Sequence, residues 1–152
     1  MQEICNPVFW PLLITVIQTV IIITVINCLL MGILHPYFAK KCYPPSFLIS
    51  QANRIDLQSS TECSAYACAF VLRYYGRKAE GAELYKEISG RRKDGAVYPK
   101  GVKKLLQRQG MNVVYCTGNI NALKKEISSG KVPIVFIRTY PGKKWLHYVP
   151  VV

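Results

Sequence analysis

The feature that most restricts this chain is a run without charge: from Ile4 to Ala39 there is no Asp, Glu, Lys or Arg. Its centre, "LLITVIQTVIIITVINCLLMGIL", runs from Leu12 to Leu34. As a helix it extends roughly 35 Å, enough to cross a hydrocarbon core with some tilt. A secretory signal needs a basic start and a small-residue cleavage site, and "MQEICNPVFW" supplies neither. A core helix this long and this uniformly apolar is out of scale with a chain of 152 residues. The expectation is a membrane anchor over residues 1–35, a juxtamembrane linker over 36–45 and a further domain over 46–152. Lys40 and Lys41 flank the run on its C-terminal side, against Glu3 alone on the other. The positive-inside rule then places the domain on the cytoplasmic side of the cell membrane, with the chain crossing once.

Most of the net charge of +12 belongs to that domain, which after Cys42 carries 18 Lys and Arg against 7 Asp and Glu. Beside a bilayer such a surface attracts anionic headgroups, so the lipid bilayer is the expected partner. The cations are scattered singly and in pairs, as at Arg91, Arg92, Lys103, Lys104, Lys124 and Lys125. They form neither a stacking surface interleaved with aromatics nor a recognition helix, and no nucleic-acid partner is expected. Cys5, Cys28, Cys42, Cys63, Cys68 and Cys116 show no C-x-x-C spacing, so neither a zinc nor a redox centre is indicated. Cys63 and Cys68 fall on different faces of one helix, which argues for reduced thiols.

Along the domain, Pro36, Pro44 and Pro45 end the apolar helix and "SFLIS" reads as a short strand. Ser59, Ser60 and Thr61 are candidate N-caps for the helix beginning near Cys63. That helix, apolar on nearly every side and stopped by Gly76, is the expected buried centre. "AELYKEISG", "PKGVKKLLQRQG" and "NINALKKEISSG" read as amphipathic helices, the last with Ile120, Leu123 and Ile127 inward. "MNVVYCT", "VPIVFIRT" and "WLHYVPVV" read as strands, the last two joined by a Pro-Gly turn. The fold class is α+β, with the central helix packed on a mostly antiparallel sheet.

A thiol nucleophile needs stabilisation of its thiolate, a base to move its proton, and donors for the developing oxyanion. Cys63 stands where a helix begins, among backbone N–H groups that favour negative charge. Cys68 lies more than a turn deeper, where burial makes a thiol inert. Of the two histidines, His35 borders the apolar run and His147 lies in the last strand. Gln58, five residues before Cys63, can aim its amide at an oxyanion. Each residue alone is more often structural than catalytic.

Together they resemble a known family. "QSSTECSAYACAFVLRYYG" resembles the opening motif of the bacteriocin-processing cysteine peptidases, a papain-like group. That motif has a Gln, four residues, the nucleophilic Cys, and an apolar helix closing in Tyr-Tyr-Gly. "ALKKEISSGKVPIVFI" and "LHYVPVV" are similar to that family's later helix, strand and His-bearing strand. The resemblance implies a papain-like fold, with Cys63 as nucleophile, His147 as general base and acid, and Gln58 as oxyanion donor. It also implies proteolysis without metal or cofactor, a peptide or protein substrate such as a double-glycine leader, and a peptide exporter as partner.

Two departures stand out. Glu62-Cys63-Ser64 replaces the family's common Asp-Cys-Gly. The family's orienting Asp or Asn lies beyond the His strand, whereas the only aspartates here are Asp56 and Asp94, both upstream. A C-terminally truncated chain, another group orienting His147, and a catalytically impaired peptide-binding module all fit that departure.

Overall fold

A computed structural model describes residues 9–31, 36–39, 43–44, 46–58, 61–138, 142 and 146–152. In chain order the elements are α1 (Phe9–Met31), β1 (Pro36–Tyr37), α2 (Cys63–Tyr74), α3 (Gly81–Glu87) and α4 (Pro99–Arg108). There follow β2 (Thr117–Gly118), α5 (Ile120–Ser128), β3 (Ile134–Arg138) and β4 (Leu146–Pro150).

Within α1, Trp10–Leu30 is long and apolar enough to cross a membrane, and none of it is buried in the protein. Four of its polar side chains bond within the helix. Thr15, Thr19 and Thr24 donate their hydroxyls, and Asn27 its amide, to the carbonyl four residues back, at 2.8–2.9 Å. A polar side chain returned in this way to its own helix backbone is not left to be solvated by hydrocarbon.

The remaining elements build a mixed α+β body around α2. Ser64, Ala65, Ala67, Cys68, Ala69, Val71 and Leu72 are all buried, so α2 turns almost its whole middle inward. Small alanines on this helix let neighbours approach closely. At Gly81, the start of α3, a Cβ would stand 2.6 Å from the Tyr66 ring, so only glycine lets α3 lie against α2 there. Leu84 and Ile88 of the α3 region, Val102, Leu105 and Leu106 of α4, and Tyr148 of β4 complete the core. Gly76 ends α2 at φ +75°, with Arg77 N bonding Leu72 O at 3.0 Å and Gly76 N bonding Arg73 O at 2.9 Å. That is the Schellman closure expected of a glycine stop. Pro99 opens α4 at its first position, as the sequence suggests.

Four expectations need correction. The late strands do pair antiparallel, Ile134 opposite Pro150 through Arg138 opposite Leu146, but as a two-stranded ribbon. A second, two-residue pair joins β1 and β2 in parallel. "MNVVYCT" forms a ladder only at Thr117, although Met111 and Val113 face the core while Val114 is 81% exposed. Alternation is present there without a strand partner along its length. "SFLIS" is likewise no strand. On α5, Ala122 and Ile127 are buried, Leu123 half-buried, and Ile120 faces solvent at 64% exposure. The Pro-Gly turn falls outside the described residues except for Gly142.

The segment after α1 is strapped to the body. Asn119, the N-cap of α5, accepts from Ala122 N at 2.9 Å through its side-chain oxygen. The same amide pairs with Ala39 in both directions, accepting from its N–H at 3.3 Å and donating to its carbonyl at 3.2 Å. Tyr37 donates to Glu126 at 3.2 Å, and Lys125 stands 5.1 Å over the Tyr37 ring.

Candidate active site

Helix α2 begins at Cys63, with Glu62 in the N-cap position and no side-chain cap bond. Thr61 therefore does not cap it, and Ser59 and Ser60 lie outside the described residues. The Glu62 carbonyl receives the first bonds of the helix, from Ala65 N at 2.9 Å and Tyr66 N at 3.2 Å. The N–H groups ahead of these have no carbonyl a turn earlier to bond, which is what makes a helix start favourable to negative charge. Cys63 is half-buried there. Cys68 is fully buried, and burial pushes its thiol up to about 12, out of reach of neutral-pH ionisation. Ser64 is 1% exposed and turned into the interior.

Strand β4 packs directly on α2. Its Tyr148 is buried, stacks on Phe136 with ring centroids 4.4 Å apart, and donates its hydroxyl to the Val97 carbonyl at 2.8 Å. Burial pushes that phenol far above its ordinary range, with Tyr115, Cys63 and Cys68 adding to the effect. Tyr148 therefore lies within electrostatic reach of Cys63. His147, the preceding residue, is half-buried and sits opposite Ile137 in the ribbon. Successive strand side chains alternate, so its imidazole leaves β4 on the face opposite Tyr148. The fold brings the two elements carrying Cys63 and His147 together, with no hydrogen bond between the two side chains. His35 lies outside the described residues.

Gln58 is half-buried within residues 46–58, which form neither helix nor strand. That stretch is fixed to α2 by side chains rather than by a ladder, and sequence reasoning missed the device entirely. Arg73 binds Asp56 at 2.9 Å, Asn53 Oδ1 at 3.2 Å, the Ala79 carbonyl at 2.9 Å and the Arg54 carbonyl at 3.0 Å. Asn53 in turn donates to the Phe70 carbonyl at 2.8 Å, and Gln51 to the Tyr74 carbonyl at 3.0 Å. Partial burial pushes the Asp56 carboxyl up, but its bond from Arg54 and the charges of Arg73 and Arg54 outweigh this and hold it below the usual range. The other aspartate, Asp94, pairs with Arg92 at 3.2 Å and accepts from Ala96 N at 3.1 Å. Both aspartates thus have partners away from His147.

Among the described residues, no three His, Cys, Asp or Glu side chains gather as metal ligands. Cys28, Cys63, Cys68 and Cys116 are free thiols.

No curated protein and no solved structure matches the chain. The model of the Peptidase C39 family matches residues 52–152, which takes in Gln58, all of α2 and the last strand. With a helix-borne cysteine at the head of the body and a histidine strand packed against that helix, the chain belongs to the Peptidase C39 family, a family of cysteine peptidases.

Proposed function

We propose that this protein is a membrane-anchored thiol peptidase in which Cys63 attacks the peptide carbonyl, His147 moves the proton and Gln58 stabilises the oxyanion. The observation that carries the reading is the placement of Cys63 at the first position of α2, within the matched span; β4 packs on that helix, and His147 has to turn from the face opposite Tyr148 to reach the thiol. The thiolate adds to the carbonyl carbon, and the oxygen takes up the displaced pair near the Gln58 amide and the Cys63 N–H. The C–N bond breaks as His147 delivers its proton to the leaving amine. Water, deprotonated by His147, then hydrolyses the thioester and restores the thiol.

The substrates are peptide leaders, presented at the membrane by an exporter on the cytoplasmic side where Lys40 and Lys41 hold the domain. Helix α1 supplies the anchor, over residues 1–35, with 36–45 joining it to the peptidase domain at 46–152. Papain-like packing of a nucleophile helix on a histidine strand is the architecture this chemistry uses. The test is cleavage of an internally quenched peptide library by the full chain in lipid nanodiscs. Activity that vanishes in Cys63→Ala and His147→Ala supports the reading; activity indifferent to Cys63 overturns it.

A second reading, a module that binds peptides in the same cleft without cutting, is favoured by one observation. Asp56 and Asp94 are both engaged elsewhere, so neither orients the imidazole, and an unoriented imidazole costs orders of magnitude in rate. It predicts library binding with no Cys63-dependent product.

A further inference from the structure

The loop between α3 and α4 carries the run Arg91-Arg92-Lys93, which the chemistry above does not use. The loop doubles back on itself. Arg91 bridges Val97, Arg92 N bonds Ala96 O at 2.9 Å, and Gly95 N bonds Arg92 O at 2.9 Å, so the tip is a tight turn. Gly95 adopts φ +79°, and a Cβ on it would stand 2.3 Å from Thr61 Oγ1. The turn therefore lies against the residue two places before Cys63. Two tyrosines pin it there: Tyr85 donates to the Gly95 carbonyl at 2.9 Å, and Tyr148, the neighbour of His147, donates to the Val97 carbonyl at 2.8 Å.

The cations on this turn are exposed, and two of them stack on aromatic rings. The Arg91 guanidinium stands 4.9 Å over the Tyr85 ring and that of Arg92 5.7 Å over Tyr98. Stacking holds a guanidinium in place while leaving its N–H edge free for a carboxylate. Asp94 pairs with Arg92 and cancels one of the three charges. Two positive charges remain on a turn flanking the α2 N-terminus.

We propose that the Arg91–Lys93 turn is a substrate subsite that selects peptides with an Asp or Glu side chain close to the scissile bond. This rests on Cys63 being the nucleophile. Exposed ion pairs contribute little each, so the effect is a preference rather than an absolute requirement, and it weakens as salt rises.

The test is a positional-scanning set of quenched peptides carrying Glu, Ala or Lys at each position around the cleavage point. The full chain in nanodiscs is compared with the charge-reversed Arg92→Glu/Lys93→Glu variant. The expected result is a Glu-over-Ala preference in kcat/KM at one position, falling about fivefold in the variant. The Lys peptide is expected to gain there, a gain that misfolding cannot produce. A Glu-to-Ala ratio that is the same in both proteins overturns the inference while leaving the peptidase reading intact. If no peptide is cut, the peptidase reading fails. Binding of the same peptides to Cys63→Ala, by fluorescence anisotropy, then decides the subsite by the same ratio.

Discussion

Arg73, in the last turn of α2, holds Asp56 at 2.9 Å, and both side chains are largely buried, at 15% and 17% exposure. The pair fixes the stretch that carries Gln58, so one contact serves both the fold and the proposed oxyanion donor. Removing the carboxylate leaves a shielded guanidinium short of a partner. Asp56→Ala is expected to lower unfolding free energy by about 1–3 kcal/mol, measured by urea titration of the detergent-solubilised chain. In a cleavage assay, loss in kcat with KM little changed would indicate that Gln58 has been displaced rather than the cleft reshaped.

The same carboxyl links stability to pH. Its folded pKa is held below the unfolded value, so its contribution is fully present above the ordinary carboxylate range. It is lost as pH falls below about 4 and through the folded value. Melting temperature against pH should therefore drop more steeply on acidification in the wild type than in Asp56→Asn. Parallel curves would show that the pair adds nothing.

Tyr148 offers a separable test of the loop beside α2. Its hydroxyl is the donor to a buried Val97 carbonyl, while its ring does the packing. Tyr148→Phe keeps the ring and is expected to cost about 1–2 kcal/mol, with faster amide hydrogen exchange concentrated in residues 90–97. Uniform change in exchange would refute a local pin.

Gly95→Ala makes the opposite kind of change. A side chain at φ +79° is strained, and this one would overlap Thr61 Oγ1 as well. About 1–2 kcal/mol of backbone strain is expected. The overlap should be relieved by Thr61→Ser only if the γ-methyl blocks the hydroxyl from rotating away. Thermal denaturation of the single and double variants checks this.

The anchor is tested by extraction. Full-length protein is expected to stay in the membrane pellet through alkaline carbonate washing. An Ile22→Arg substitution, near the middle of α1, should weaken insertion by about 2.5–3.5 kcal/mol and release a larger soluble fraction. Complete release of the wild type would remove the membrane reading.

The elements legible in the sequence were those defined by their own faces. Helix α2 is apolar on nearly every side and closed by Gly76; β3 is dense in β-branched residues and β4 carries Tyr148 and Val149; α4 has Pro99 and Gly110 at its ends. "MNVVYCT" shows why the same signal misleads: side-chain alternation reports which residues face the core, whereas a ladder needs a second backbone alongside. Ile120 fails for a related reason, since a helical stripe drawn from hydrophobicity alone cannot tell that Ala122 takes the inward place. At the site, the position of Cys63 is local information, readable from a polar lead-in and an apolar helix. The partnerships of Asp56 with Arg73, Tyr148 with Val97 and Gly95 with Thr61 join residues distant in sequence. No local pattern encodes those encounters.

The most direct measurement is the alkylation rate of each cysteine by iodoacetamide, followed by mass spectrometry across pH in wild type and His147→Ala. If Cys63 is the nucleophile, it should react at neutral pH far faster than Cys68, whose thiol burial has pushed up to about 12. The rate at Cys63 should also fall in the His147 variant. Equal reactivity of Cys63 and Cys116, unchanged by the loss of His147, would contradict the peptidase reading.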